Sequence, residues 1–263
     1  MLAIKEIKKR SFNNGNVYCI YKDNYPVEVT DTFLPFYTKN AINGNTNILK
    51  DYSLGSRKER WMIGVSCMSG CPVRCKFCAT GSIKKVRNLT WQEIVAQVEF
   101  IISENVTEDF NKAEEHKINY TRMGEPFLNI DNVRRAIEEI EKKYPNTHHY
   151  LSTIGIKGSD FSWIKDNITL QISLHSLNED KRNWLIPYKN KMSIEELGQI
   201  RTKSNLKTTI NLTLVDEADF DIKLLKKYFD PEHFFIKISP VNPNEIAENN
   251  NINEGIIKTT NMR

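Results

Sequence analysis

From Trp61 onward, runs of apolar and β-branched residues alternate with stretches whose apolar positions recur every three to four residues, a pattern that restricts the chain to repeated βα units around a parallel sheet. The runs at 61–66, 116–122, 148–154, 168–174, 207–214 and 233–239 predict strands. Helices are predicted at 91–104, 130–143, 158–165, 193–204 and 219–228; Thr90-x-x-Glu93 and Ser193-x-x-Glu196 supply capping boxes for two of them. Six such units are too few for a closed eight-fold barrel, so the expected fold class is α/β, a partial (β/α)6 barrel over residues 61–243.

Ahead of it, residues 16–22 and 27–33 predict two short strands separated by an Asp23-Asn-Tyr-Pro26 turn, giving residues 1–60 the character of a short β-rich N-terminal extension. Residues 38–60, with Asn43-Gly44 and little periodicity, predict a long loop. Residues 244–263 form a polar tail; its asparagine-rich stretch at 247–254 predicts a loop or disorder, followed by a short helical remnant. With 263 residues and 40% hydrophobic content, the chain can bury a full core. The opening ten residues are charged throughout and so lack the apolar core of a signal peptide, and no later segment is apolar enough to span a bilayer. The expectation is a cytoplasmic protein with no membrane partner. A net charge of +4 permits an RNA partner without specifying one.

Four of the five cysteines fall between Cys67 and Cys78, too close together for a disulfide framework and better suited to metal ligation in a reducing compartment. Cys71-Pro-Val-Arg-Cys75-Lys-Phe-Cys78 has C-x3-C-x2-C spacing on the loop after the first barrel strand, the end at which barrel enzymes place their sites. Three thiolates on one loop can ligate three irons of a [4Fe–4S] cluster and leave the fourth open to substrate. A structural zinc ion is the competing reading. Zinc prefers four protein ligands, usually from two separated pairs, and no second Cys or His pair follows; Cys67 is the only nearby fourth thiol. Cys67 and Cys19 suit small buried hydrophobes better than ligands.

The cysteine spacing resembles the signature of the radical S-adenosylmethionine (SAM) superfamily. Its flanks are similar to one branch, the RlmN/Cfr-type RNA adenine methyltransferases. The matching segments are Thr80-Gly81, Arg87-Asn88-Leu89-Thr90-x-x-Glu93-Ile94, Arg122-Met-Gly-Glu-Pro-Phe-Leu-Asn129, Ser152-Thr-Ile-Gly155, Ile172-Ser-Leu-His-Ser-Leu-Asn178, Arg182 with Leu185-Ile-Pro187, Ser193-Ile-Glu-Glu-Leu197 and Ile238-Ser-Pro-Val-Asn-Pro243, in order over about residues 61–243. The resemblance implies that Cys71, Cys75 and Cys78 hold the cluster, that Gly124, Glu125, Ser152, Ser173, His175 and Asn242 contact SAM, and that a low-potential electron donor of flavodoxin or ferredoxin type supplies the reductant. It implies reductive cleavage of SAM to methionine and a 5′-deoxyadenosyl radical, with an RNA base as target. Glu28, within Val27-Glu-Val29, matches the family's general-base glutamate. Taken singly, these residues have plainer roles available: Gly124-Glu-Pro as a turn, Ser152 as a cap, His175 as a structural histidine and Glu28 as an exposed strand carboxylate.

Two family features are missing. Methyl transfer in that branch uses a methylated cysteine near the C-terminus and a resolving cysteine seven residues before the first cluster ligand. Here Gly64 holds the resolving position and the given sequence does not reach the other cysteine, so methyl transfer by that pathway, which needs a sulfur nucleophile, is left in doubt, with Cys67 and Cys19 as the substitutes on offer. The RNA-contacting N-terminal domain is also reduced to about sixty residues. An RNA substrate is supported by Lys84, Lys85, Arg87, Arg182, Lys189 and Lys191 as rim charges, with Trp184 and Tyr188 for stacking. Two alternatives remain open: the same radical chemistry on a small metabolite, nucleotide or peptide, and a non-catalytic metal-stabilised binding module.

Overall fold

All six strands expected from the alternation form, each within two residues of its expected limits. The computed structural model describes residues 6–22, 24–34, 55–213 and 220–252. In chain order the elements are β1 (Glu6–Phe12), β2 (Gly15–Lys22), β3 (Tyr25–Phe33), β4 (Arg60–Gly64), β5 (Met68–Ser69), β6 (Arg87–Asn88), α1 (Trp91–Glu104), β7 (Glu115–Tyr120), α2 (Ile130–Lys143), β8 (His148–Thr153), β9 (Ile168–Ser173), α3 (Glu179–Leu185), α4 (Ile194–Gly198), β10 (Thr208–Thr213), α5 (Ile222–Tyr228), β11 (Phe234–Ser239) and α6 (Glu245–Asn249). Among the described residues no helix is long and apolar enough to cross a membrane. The chain divides into two compact units, one of Met1–Cys67, Leu89–Arg122 and Asp131–His149, the other of Met68–Asn88, Met123–Ile130 and Tyr150–Arg263, so the division falls within β8.

The first unit takes its strands in the order β1-β2-β3-β4-β7-β8. β1 to β4 are antiparallel neighbours and β4 to β7 is the first parallel pair, with Thr30 opposite Gly64 and Gly64 opposite Asn119. Ile63, Ile118, Ile94, Val98, Ile101, Val133 and Ile140 are fully buried and form the core under α1 and α2; each contributes about 1.5–3 kcal/mol by leaving water. Asp31 is buried yet satisfied, accepting from Trp61 Nε1 at 2.9 Å, Arg57 Nε at 3.1 Å and Asn16 Nδ2 at 3.2 Å. Beyond the end of β4, the side chain of Gln97 on α1 takes both main-chain groups of Ser66, accepting from its N–H and donating to its C=O at 2.9 Å each.

In the second unit the order is β8-β9-β10-β11, with β9 to β10 and β10 to β11 parallel and Ser173 opposite Asn211. Leu151, Ile172, Leu185, Leu197, Ile210 and Leu212 are fully buried here. β5 pairs antiparallel with β6, Met68 opposite Asn88, and so brackets the cysteine loop at its base.

Several expectations need correction. No helix forms at 158–165. There Asp160 Oδ1 accepts from Ser162 N–H at 2.8 Å and Ile164 N–H reaches Phe161 O at 3.2 Å, local turns that compete with a helical ladder. The helix expected at 193–204 stops at Gly198, where a side chain's Cβ would lie 2.2 Å from Tyr228 O and Arg201 Nη1 donates to the freed Gly198 carbonyl at 3.0 Å. α6 lies partly in the stretch expected to be a loop, and the helical remnant expected after it falls outside the described residues, as do residues 35–54, most of the expected long loop. β1 and the seven-residue α3 were not expected; α3 starts at Asn178, whose side chain accepts from Lys181 N–H. Both expected capping boxes are present.

Candidate active site

The cysteine loop turns sharply at Gly70, where φ is +69° and an added Cβ would lie 2.9 Å from Lys85 O, so only glycine fits. Cys71, Cys75 and Cys78 are half-buried, and none is in a disulfide. Cys78 N–H donates to Cys75 O at 3.1 Å, and Lys76 N–H to Leu185 O at 2.9 Å. Burial pushes the Cys71 thiol up to about 12 and the Cys75 thiol well above its ordinary range; the charges of Glu125 and of the other site cysteines add to this. Thiols in such a place stay protonated until a metal displaces the proton.

Beside this loop lies Arg182, fully buried. Its Nη1 donates to Met192 O at 2.7 Å and Nη2 to Ile154 O at 2.8 Å, while Nε is buried with no hydrogen-bond partner among the described residues. Burial lowers its pKa to about 10, against the charges of Glu179 and Cys75. A buried guanidinium whose hydrogen bonds go only to carbonyls is compatible with further negative charge beside Glu179, such as thiolates binding an iron–sulfur cluster. Among the described residues no three His, Cys, Asp or Glu side chains converge as a single metal ion requires. A cubane binds each thiolate on a separate iron, so its ligands stand apart. By its chemistry, three free thiols on one loop, the donor set is the one that a cluster with an open iron takes.

Gly124, at φ +104°, bends the chain after β7, and buried Glu125 follows. Glu125 Oε1 accepts from Phe127 N–H at 3.1 Å and Oε2 from Ile154 N–H at 2.9 Å. Burial lifts its pKa to about 7, opposed by hydrogen bonds from Thr153, Ile154 and Phe127. At neutral pH an ammonium group beside it would hold it ionised.

Ser152 and Ser173 meet, Oγ to Oγ, at 3.2 Å. They belong to a polar row along successive strands. Gln171 Nε2 donates to Ser152 Oγ at 2.9 Å, Tyr150 Oη to Gln171 Oε1 at 2.5 Å, and Ser239 Oγ to Asn211 Oδ1 at 2.8 Å. Tyr150, Gln171, Asn211 and Ser239 were not among the site residues expected from the sequence. The strand period of two would have found two of them, because Tyr150 and Gln171 precede Ser152 and Ser173 by two residues each. His175 sits at φ +63°, buried, its ring edge-on to Phe77 at 4.7 Å, and its Nδ1 accepts from Thr213 N–H at 3.2 Å. Burial, reinforced by Arg182, lowers its pKa to about 3, so it is neutral with the proton on Nε2. Asn242 is exposed, and its carbonyl accepts from Asn244 Nδ2 at 2.9 Å.

Glu28 lies in the first unit, where its carboxylate pairs with Arg122 at 3.4 Å and both side chains are half-exposed. Two of the expected rim charges are not at a surface. Arg182 is fully buried, and Lys191, 8% exposed, spends its ammonium on Asn183 Oδ1 and Tyr188 O at 2.6 and 3.2 Å. Each satisfies main-chain carbonyls inside the second unit, which removes both from any RNA-facing rim.

A parallel βα sheet with a three-thiol loop after its first strand and glycine–glutamate, serine and histidine groups after the later ones defines an iron–sulfur, SAM-type architecture. The family model described as the radical SAM superfamily matches residues 65–229, and the chain belongs to that superfamily. Its partial-barrel α/β fold is shared with a radical SAM methyltransferase from Sphaerobacter thermophilus, at a TM-score of 0.67 and 20% identity, covering 92% of this chain and 68% of that one. The chain also resembles proteins named "Probable dual-specificity RNA methyltransferase RlmN". The one from Pseudothermotoga lettingae is 34% identical over 77% of this chain and 63% of its own length. That from Dictyoglomus turgidum is 41% identical over 54% and 42%, and that from Clostridium beijerinckii 32% identical over 88% and 64%. The chain thus spans less than two thirds of the length of these relatives.

Proposed function

We propose that this chain is a cytoplasmic radical SAM enzyme acting on an RNA base, with Cys71, Cys75 and Cys78 holding a [4Fe–4S] cluster. When bound and reduced by a low-potential donor, such a cluster would supply the electron for cleavage of the SAM sulfonium to methionine and a 5′-deoxyadenosyl radical. The observation that carries this reading is the three-thiol loop lying beside buried Arg182, whose guanidinium is hydrogen-bonded only to carbonyls and keeps an unpartnered Nε among the described residues. In this reading Gly124 lets the SAM methionine approach the backbone and Glu125 takes its ammonium. Ser152, Ser173, His175 through Nε2–H, and Asn242 donate to its polar groups, and Glu28 moves the substrate proton.

RNA as substrate draws support from the RlmN-named relatives and from the exposed Lys84, Lys85, Lys189 and Trp184, which is 45% exposed. β1 adds Lys8, Lys9 and Arg10, all exposed, with the Arg10 guanidinium over the half-exposed ring of Phe12. A second reading, radical chemistry on a small metabolite, nucleotide or peptide, is favoured by Gly64, which offers no thiol where RlmN-type methyl transfer needs one.

The test is 5′-deoxyadenosine formation by anaerobically reconstituted, reduced protein given SAM with and without ribosomal RNA, beside Cys75→Ala. We expect product from the wild type alone, and a mass shift in an RNA nucleoside. A fully iron- and sulfide-loaded wild type that forms no 5′-deoxyadenosine under either condition overturns the enzyme reading in favour of a metal-stabilised binding module. Product without any RNA binding or mass shift moves the assignment to the second reading.

A further inference from the structure

Only Lys76 and Phe77 separate the second and third cluster cysteines, and side chains from the segment after β11 reach across to both. Asn244 Nδ2 donates to Phe77 O at 3.0 Å and Asn250 Nδ2 to Lys76 O at 3.1 Å. These contacts complete a set. The Cys75–Lys76 peptide is held at its carbonyl by Cys78 N–H and at its N–H by Leu185 O. The Lys76–Phe77 peptide is held at its carbonyl by Asn250, and the Phe77–Cys78 peptide at its carbonyl by Asn244 and at its N–H by Cys75 O. Every peptide plane between the two ligands is therefore fixed from outside or by its neighbour.

Both asparagines are themselves anchored. Asn244 Oδ1 caps α6, accepting from Ile246 and Ala247 N–H at 3.1 Å each, and its Nδ2 also reaches Asn242 O. Asn250 Nδ2 also donates to Ile246 O at 2.7 Å, and Ala247 and Ile252 are buried beneath. A five-residue helix is far below the length that is stable alone, so α6 exists through these caps and contacts.

We propose that residues 244–252 form a clamp, with Asn244 and Asn250 as positioning residues that fix the Cys75–Cys78 turn for the iron–sulfur cluster. The cluster itself rests on the functional reading above; the clamp on the loop does not. Because Asn244 also holds the Asn242 carbonyl, the clamp joins the loop expected to contact SAM to the loop expected to carry iron. Backbone amides and carbonyls around cluster cysteines set ligand geometry and the potential of the iron.

Asn244→Asp separates clamping from folding. Its carboxylate keeps the α6 cap but has no N–H to offer Phe77 O. In the cluster-free full-length protein, the Lys76 and Cys78 amides should exchange about tenfold faster in Asn244→Asp and in Asn250→Ala, while Asn244→Asp, which keeps the α6 cap, lowers the thermal midpoint less than Asn244→Ala does. In reconstituted protein, chelator should strip iron about five- to tenfold faster from both variants, and Asn250→Gln should recover part of the loss. Unchanged amide exchange in both variants overturns the clamp, whatever the cluster does. Faster exchange in a protein that never accepts iron and sulfide leaves the clamp standing and overturns the cluster reading instead.

Discussion

Restoring a thiol at position 64 would cost this chain stability, and the cost can be worked from the sheet. Gly64 ends β4 directly opposite Thr30 of β3. A Cβ placed on Gly64 lies 2.4 Å from Thr30 Oγ1, 3.3 Å from Arg122 Nε and 3.4 Å from Arg122 Cδ. The backbone is not at fault, because Gly64 is not among the residues of positive φ. Arg122 is long and half-exposed and can swing aside. Thr30 is 7% exposed and β-branched, with few rotamers open to it. Gly64→Cys should therefore behave as overpacking, at about 2 kcal/mol, or roughly 4–8 °C in Tm. Thr30→Ala removes the obstructing hydroxyl, so the two substitutions should couple favourably by about 1–2 kcal/mol. Urea unfolding of the wild type, both single variants and the double variant at neutral pH closes the cycle. If Gly64→Cys unfolds within about 0.5 kcal/mol of the wild type and shows no coupling to Thr30→Ala, the wall is not there. Gly64 would then be a simple substitution of cysteine rather than a filled position.

Two further outcomes concern buried charge. Asp31→Ala strands Arg57 and the Trp61 indole N–H and should cost about 3–5 kcal/mol in urea unfolding; a loss below about 1 kcal/mol would mean the hub is slack. His149, bonded through Nδ1 to Tyr120 Oη, has its pKa lowered by burial from 6.5 to about 3. The unfolded chain binds its proton first as pH falls, so stability is full above about 6.5 and is lost toward 3 at about 1.4 kcal/mol per pH unit. His175 adds an equal share in the same window. His149→Gln should thus reduce the acid-side slope of unfolding free energy by about 1.4 kcal/mol per pH unit, and an unchanged slope would refute the assignment.

The strands were legible in the sequence because their apolar runs are bounded by turn residues, and α1 and α2 because they are long, periodic and, in α1, boxed by Thr90 and Glu93. What could not be read was decided by partners distant in sequence. α4 ends where Gly198 meets the Tyr228 carbonyl, and α6 forms because Asn244 caps it while reaching Phe77. β1 carries no alternating apolar face and forms by pairing along β2. In the site, the cysteine spacing and the strand-end serines stood out as motifs. Arg182 did not: its charge suggested a solvent-facing rim, whereas carbonyls of Ile154 and Met192 hold it inside.

The grip of Gln97 on Ser66 has a further consequence when taken with Leu89 N–H, which donates to Cys67 O at 3.1 Å. The polypeptide between these points is a closed ring before any iron arrives. Its ends are already joined, so the entropy of closing it is charged to folding and not to assembly of the metal centre. Residues 67–89 therefore hold their closed path by main-chain bonds of the protein alone, whatever the three thiols bind.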